Sequence, residues 1–244
     1  MSTPRTASGV VIRLVDYSET SQVVTFWTRE AGRLTGIAKG SKRAKTAFHG
    51  PFDLFALHRL NYREKPAGQL HLLTAADLLD AHAGLRADPV RLIAAGWCAE
   101  ILLGLTADGL PIPALFDLFT QTLAGLAGAP AWEPWLFRFE AQALSHLGHR
   151  PRLSACAACG SAHGPTALYS PRAGGALCDR CARVETAPLR VRAETLRLLD
   201  GLAEPPAPPP APPPAPLRQE LRAVLRSAYT DLLERPPVAL EMLP

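Results

Sequence analysis

The hydrophobic pattern divides the chain into two regimes. Between residues 8 and 80, short runs rich in β-branched and aromatic residues alternate with polar positions: "SGVVIRLVDY", "QVVTFWTRE", "RLTGIAKG", "PFDLFALHRL" and "QLHLLTAAD". Turn chemistry separates them at Ser18 to Ser21, Glu30 to Gly32 and Pro66 to Gly68. Period-two alternation bounded by such turns predicts five strands. Five strands in about 80 residues suit a partly open Greek-key barrel of the OB type. An SH3-like barrel accommodates the same pattern.

From Asp88 the period becomes helical. Asp88 is placed to cap "PVRLIAAGWCAEILLGL", with Pro89 in its first turn, and apolar segments over 112–127 and 132–147 follow after Gly/Pro breaks. These three predict a helical bundle. Residues 205–216, "PPAPPPAPPPAP", form neither helix nor sheet; as polyproline II they would span roughly 37 Å, a stiff spacer. Beyond them Leu217, Leu221, Val224, Leu225, Ala228 and Leu232 share one helical face, which predicts a last helix that returns to pack on the bundle. The organisation expected is an OB-type nucleic-acid-binding domain over 1–80 and a helical domain over 81–244. The second domain carries a cysteine motif at 153–185 and the proline-rich linker at 205–216. The fold class is therefore α+β and multidomain.

Composition adds little until it is mapped. The net charge of +4, from 26 basic and 22 acidic residues, is a weak argument for a polyanionic partner. Its distribution is more telling. Lys39, Lys42, Arg43 and Lys45 fall within seven positions, and no acidic residue stands between Glu30 and Asp53. Three of the chain's four lysines lie in this cluster, although 22 of the 26 basic residues are arginine. The segment has glycines and a Lys-Gly-Ser run, but neither the spacing GxxxxGK[ST] nor a following helix, so it is not a nucleotide-binding loop. What fits is salt-sensitive contact with a phosphate backbone. Phe26, Trp27, Phe48 and Phe52 flank it, and such rings stack bases on some barrels; core packing is the ordinary role for most of them.

The strongest local motif is "CAACGSAHGPTALYSPRAGGALCDRC", in which Cys156 and Cys159 are separated by eighteen residues from Cys178 and Cys181. Each CxxC turn offers two thiolates to one ion, and the loop brings the second pair round to complete a tetrahedron. Four thiolates favour zinc, with iron the main competitor, and a site filled by protein ligands is structural. His163 is read as a surface residue, His146 and His149 as helix-end residues, and Arg172, Arg180 and Arg183 as a solvated face. Cys98, among apolar neighbours in the first helix, is read as a buried thiol. No GxSxG and no paired carboxylates at DxD or ExxE spacing occur in an apolar segment, so no catalytic apparatus is expected. The start lacks an uninterrupted apolar signal region and no window is apolar enough to span a membrane, which leaves a cytoplasmic location as the default.

Taken together, "VDYSETSQVVTFWTREAGRLTGIAKGSKR", "RFEAQALSHLGHRPRLSACAACG" and "GGALCDRC" resemble the RecO family of bacterial DNA repair and recombination mediators. The resemblance implies an N-terminal OB fold and a helical C-terminal domain with an embedded zinc motif. It also implies binding of single- and double-stranded DNA, annealing of complementary strands, and partnership with RecR and single-stranded DNA-binding protein in loading RecA. On it, Cys156, Cys159, Cys178 and Cys181 match the zinc ligands and Lys39, Lys42, Arg43 and Lys45 the basic DNA-binding segment. The proline-rich run is not part of the family pattern. A zinc-stabilised protein-interaction scaffold with incidental DNA contact is the alternative, and a zinc-dependent hydrolase would need an open metal position.

Overall fold

The computed structural model describes residues 3–66, 68–185, 188–204 and 211–243. They form two compact units, Met1–Ala129 and Pro130–Pro244.

In the first unit, β1 (Pro4–Asp16), β2 (Gln22–Thr28), β3 (Gly32–Ala38), β4 (Leu57–Arg63) and β5 (His71–Asp80) close a barrel in the order β1-β2-β3-β5-β4, with β4 returning to pair with β1. All pairs are antiparallel except β3 with β5. This Greek-key closure is the OB arrangement and decides against the SH3-like alternative. Val11, Val24, Phe26, Leu34, Leu60, Tyr62 and Leu73 fill the interior together with Phe48 and Phe52. Full burial of a phenylalanine side chain contributes on the order of 2–3 kcal/mol.

The fourth strand starts later than its apolar content implies. "PFDLFA" is hydrophobic because Phe52 and Phe55 plug into buried positions from an irregular segment, not because it is a strand. Phe55 sits at φ 64 and exchanges backbone hydrogen bonds with β1: its N–H donates to the Val11 carbonyl at 2.8 Å, and the Val11 N–H to that of Ala56 at 3.0 Å. The strand itself reads "LHRLNYR", with His58, Leu60 and Tyr62 inward and Arg59 and Arg63 outward.

The β2–β3 turn is closed by the Thr28 hydroxyl, which donates to the Gly32 carbonyl at 2.7 Å. Gly32 has φ 64, and a Cβ there would lie 2.3 Å from the Leu110 carbonyl oxygen, so glycine is required twice over. The Arg29 guanidinium forks onto both Asp117 oxygens at 2.9 and 3.1 Å. After a 3-10 turn at Ala83–Ala87 come α1 (Pro89–Leu105) and α2 (Pro113–Gly128). Asp88 caps α1 as expected, accepting from the Val90 N–H at 2.9 Å. Arg91 donates to the Leu126 and Ala129 carbonyls, which satisfies acceptors left open at the end of α2. Cys98 is fully buried in α1.

The third helical segment, α3 (Glu133–His146), belongs to the second unit. There β6 (Thr166–Ser170), β7 (Gly175–Leu177) and β8 (Leu189–Arg192) form a sheet ordered β7-β6-β8, with a short α4 (Asp179–Ala182) after β7. Next come α5 (Ala193–Leu202), α6 (Ala215–Leu233) and α7 (Val238–Glu241). The last long helix does return: Leu217, Leu221, Val224, Leu225 and Ala228 are buried and Leu232 is half-buried, against α5, β6 and β8. Tyr229, also buried, donates to the Glu140 carbonyl at 2.7 Å, and Glu133 accepts from Arg218 and Arg222. Of the proline-rich run, residues 205–210 lie outside the described residues, whereas Ala215 and Pro216 open the first turn of α6, where a missing N–H costs nothing. Among the described residues no helix is long and apolar enough to cross a membrane.

Candidate metal centre and basic loop

The thiol cluster is built by a close backbone crossing. Residues just before the first CxxC run beside the β6–β7 hairpin: the Arg152 N–H donates to the Gly174 carbonyl, the Ala176 N–H to that of Arg152, and the Ala157 N–H to that of Ala176 at 2.7 Å. Gly175 has φ 151, and a Cβ there would stand 2.1 Å from the Arg152 carbonyl oxygen. Only glycine permits the approach, and it is this approach that brings the two halves of the motif together.

The four sulfur atoms of Cys156, Cys159, Cys178 and Cys181 all lie within 4.8 Å of one another, with Cys159 and Cys178 3.9 Å apart. One metal ion can therefore touch all four. Cys156 is buried, Cys178 and Cys181 are half-buried and Cys159 is exposed, so the centre sits at the surface with a floor of Leu168, Leu177 and Ala182. Backbone N–H groups of Cys178, Cys159 and Ala158 point at the Cys156 sulfur and lower its pKa. The Ser161 hydroxyl, 2.7 Å from the Cys159 sulfur, is the largest influence holding that thiol below its usual range. The same thiols, Cys159 foremost, push Cys181 up. Several thiolates at this spacing repel one another, and a divalent cation removes the conflict.

His163 stays out of the cluster, its Nε2 2.8 Å from the Leu153 carbonyl oxygen. Arg180 is exposed beside Cys159 and Cys181, whose sulfurs hold its guanidinium more firmly charged; Arg183 is exposed, and Arg172 approaches Asp231 at 3.8 Å. His146 ends α3 and His149 lies just beyond. Ser161 is a functional neighbour that sequence reasoning misses, since its only signal there is a place two residues past Cys159.

In the first unit, the basic segment leaves β3 and is tied at its base. The Ser41 hydroxyl and the Phe52 N–H both donate to the side-chain amide oxygen (Oε1) of Gln22, at 3.1 and 3.0 Å. The Gly40 N–H donates to the Ser21 hydroxyl and the Lys42 N–H to the Thr20 carbonyl, both at 3.1 Å. The segment is thus anchored on the β1–β2 turn, and Phe48 and Phe52 pin its far side into the barrel core. Phe26 and Trp27 are fully buried as well, so none of the four flanking aromatics is free to stack a base.

Its cations are not equivalent. Lys39, Arg43 and Lys45 are exposed, and no ion pair to them is found among the described residues. Lys42 is half-buried and its ammonium lies 2.5 Å from Asp16, whose carboxyl it holds below the ordinary range. The acid-free gap in the chain is bridged in space by a carboxylate more than twenty positions upstream, and neither Asp16 nor Gln22 announces that role in the sequence.

Comparison with known proteins completes the picture. Residues 1–82 match the family model for the recombination protein O N terminal region and residues 86–241 that for its C terminal region. The chain is 38% identical over 177 residues to a DNA repair protein RecO of Anaeromyxobacter sp. (strain Fw109-5), covering 72% of this chain and 69% of that protein. It is 34% identical to DNA repair protein RecO of Myxococcus xanthus over 82% of each chain. It is 33% identical to that of Rhodopirellula baltica, over 81% of this chain and 74% of the relative. With an OB-type barrel, a four-cysteine cluster and both family regions matched in order, the chain belongs to the recombination protein O family of DNA repair proteins.

Proposed function

We propose that this protein is a non-catalytic, cytoplasmic mediator that binds single- and double-stranded DNA and anneals complementary strands. With RecR, it would help load RecA onto DNA covered by single-stranded DNA-binding protein. Family membership supports the class of process. The observation that carries DNA contact is the anchored loop, which presents Lys39, Arg43 and Lys45 to solvent with Lys42 behind them. Each phosphate that such a loop neutralises releases counterions, giving affinity that falls with salt and does not depend on sequence.

The four cysteines would hold zinc. Zinc–sulfur bonds of about 2.3 Å in a tetrahedron set sulfur–sulfur edges of roughly 3.8 Å, and the Cys159–Cys178 separation of 3.9 Å fits. With four protein thiolates the ion has no open position, so its contribution would be structural: it would tie the Cys156–Cys159 turn to the Cys178–Cys181 turn that follows β7. A scaffold role is favoured by a different observation, an apolar cleft in the second unit lined by Trp132, Leu136, Phe137 and Leu240 with Arg222 and Arg226 beside it.

Replacing Lys39, Lys42, Arg43 and Lys45 together by alanine tests the DNA reading. The expected result is weaker binding to both single strands and duplex, a flatter salt dependence, and slower annealing of complementary oligonucleotides. Unchanged affinity with an unchanged salt slope would refute the loop's role.

A further inference from the structure

The four thiols of the second unit are not equally protected. Cys156 is fully buried, and backbone N–H groups of Cys178, Cys159 and Ala158 close over its sulfur. Cys178 and Cys181 are half-buried, whereas Cys159 is exposed. The chain leaves Cys159 through Gly160, at φ 74, where an added Cβ would meet nothing within 4 Å. The cluster therefore presents one sulfur at an open rim and keeps another out of reach of solvent.

Cys159 also faces the other half of the motif. Its sulfur lies 3.9 Å from that of Cys178, and the two residues belong to different CxxC turns. A disulfide needs these sulfurs to draw in to about 2.05 Å, a movement within the cluster's own dimensions. The Ser161 hydroxyl, 2.7 Å from the Cys159 sulfur, and the Arg180 guanidinium beside it supply donors for a departing hydroxide. An exposed thiolate with a second thiol within reach is the kind that peroxides oxidise reversibly.

We infer that Cys159 is a site of reversible oxidation by peroxides, at which a disulfide with Cys178 replaces the metal as the tie between the two CxxC turns. In the first step the Cys159 sulfur attacks one peroxide oxygen, the O–O bond breaks, a sulfenic acid forms and hydroxide leaves. The sulfur gives up two electrons and the peroxide accepts them. In the second step the Cys178 thiolate attacks the Cys159 sulfur, the S–S bond forms, the S–O bond breaks and a second hydroxide leaves. Two solvent protons convert both hydroxides to water, so two thiolates and one hydrogen peroxide give one disulfide and two waters. Two of the four thiolate ligands are then gone, and a divalent cation held by the site is released. The inference goes beyond the structural-zinc reading and rests on it only for that release. Because the covalent tie spans the same gap as the metal, the second unit keeps its fold under oxidation that empties the site.

The test treats the full chain, loaded with zinc, with hydrogen peroxide. Zinc release is followed with a chromogenic chelator, disulfides by peptide mass spectrometry after alkylation of free thiols, and unfolding by calorimetry. Zinc and disulfide should appear in equal amounts, with the bridge between Cys159 and Cys178, and dithiothreitol with added zinc should reverse both. With dimedone present from the start, the sulfenic acid adduct should form on Cys159 and not on Cys156. Cys98, fully buried in α1, is the internal reference that stays reduced. The oxidised, zinc-free protein should melt at a higher temperature than reduced protein stripped of zinc by chelation. Survival of all four thiols, an adduct on Cys156, a bridge within one CxxC turn, or no gain in melting temperature would each overturn the inference. Untreated protein that takes up no zinc would instead refute the metal reading, and the disulfide and its melting gain would still decide this one.

Discussion

His58 gives the barrel a built-in acid sensitivity whose size follows from its surroundings. It points inward from β4 and is buried, with its ring 5.0 Å from that of Phe52 and 6.4 Å from that of Phe26. Neither ring nitrogen has a hydrogen-bond partner among the described residues. Desolvation opposes the imidazolium and lowers the folded pKa from 6.5 to about 4. The unfolded chain therefore binds the proton more readily than the folded one. Stability is complete above the unfolded value and is lost as the pH falls through the window between the two. At about pH 5 the linkage relation gives a loss of about 2 kcal/mol, against almost none at about pH 7.5. His58→Phe removes the titration and keeps an aromatic ring in the site. Urea unfolding of both proteins at the two pH values, followed by far-ultraviolet circular dichroism, measures the effect. The stability difference between variant and wild type should shift by about 2 kcal/mol in favour of the variant on moving to the lower pH. Any packing cost of phenylalanine, and any acid weakening of the thiol centre, cancels in that comparison. A difference that stays the same at both pH values would refute the reasoning.

Two further outcomes are expected. Cys178→Ser should abolish stoichiometric zinc binding, read by metal analysis after dialysis, and destabilise the second unit by several kcal/mol while the barrel's unfolding transition is unchanged; retained metal at full occupancy would contradict the four-cysteine site. Among single substitutions in the loop, Lys39→Ala, Arg43→Ala and Lys45→Ala should each reduce the salt slope of duplex binding by about 0.9 for every phosphate left without its cation. Lys42→Ala should change it least, because that ammonium already has Asp16 as its partner.

Much of the architecture is legible in the sequence because it depends on spacing along the chain. Alternating positions mark five strands, the Asp88–Pro89 pair marks the start of α1 where the cap hydrogen bond is found, and the 217–232 face returns buried. The pattern misplaces the fourth strand for a physical reason: apolar content there does not mean strand, because Phe52 and Phe55 reach buried positions from irregular backbone. The true strand hides behind a histidine, two arginines and an asparagine. Nor does periodicity say which helices pack together. All three helical segments are apolar enough to share a bundle, yet α1 and α2 lie in the unit that holds the barrel and α3 in the other.

The two functional features differ in the same way. The metal motif can be read directly, since two CxxC turns constrain their own geometry and need only one long-range event, the Gly175 crossing, to close. The basic segment can be read only as charge. Its chemistry depends on partners far away in sequence: Gln22 and Ser21 fix its base, Asp16 neutralises Lys42, and two phenylalanines bury its far side. A tethered loop has already lost much of the freedom that a mobile one would lose on binding, so under the proposed reading its exposed cations would meet a phosphate chain at a lower entropic cost. The anchoring also joins the loop to the β1–β2 turn through Ser21 and Thr20. Charge and turn thus belong to one connected surface, on which, under the proposed reading, the loop would supply an attraction common to every nucleic acid.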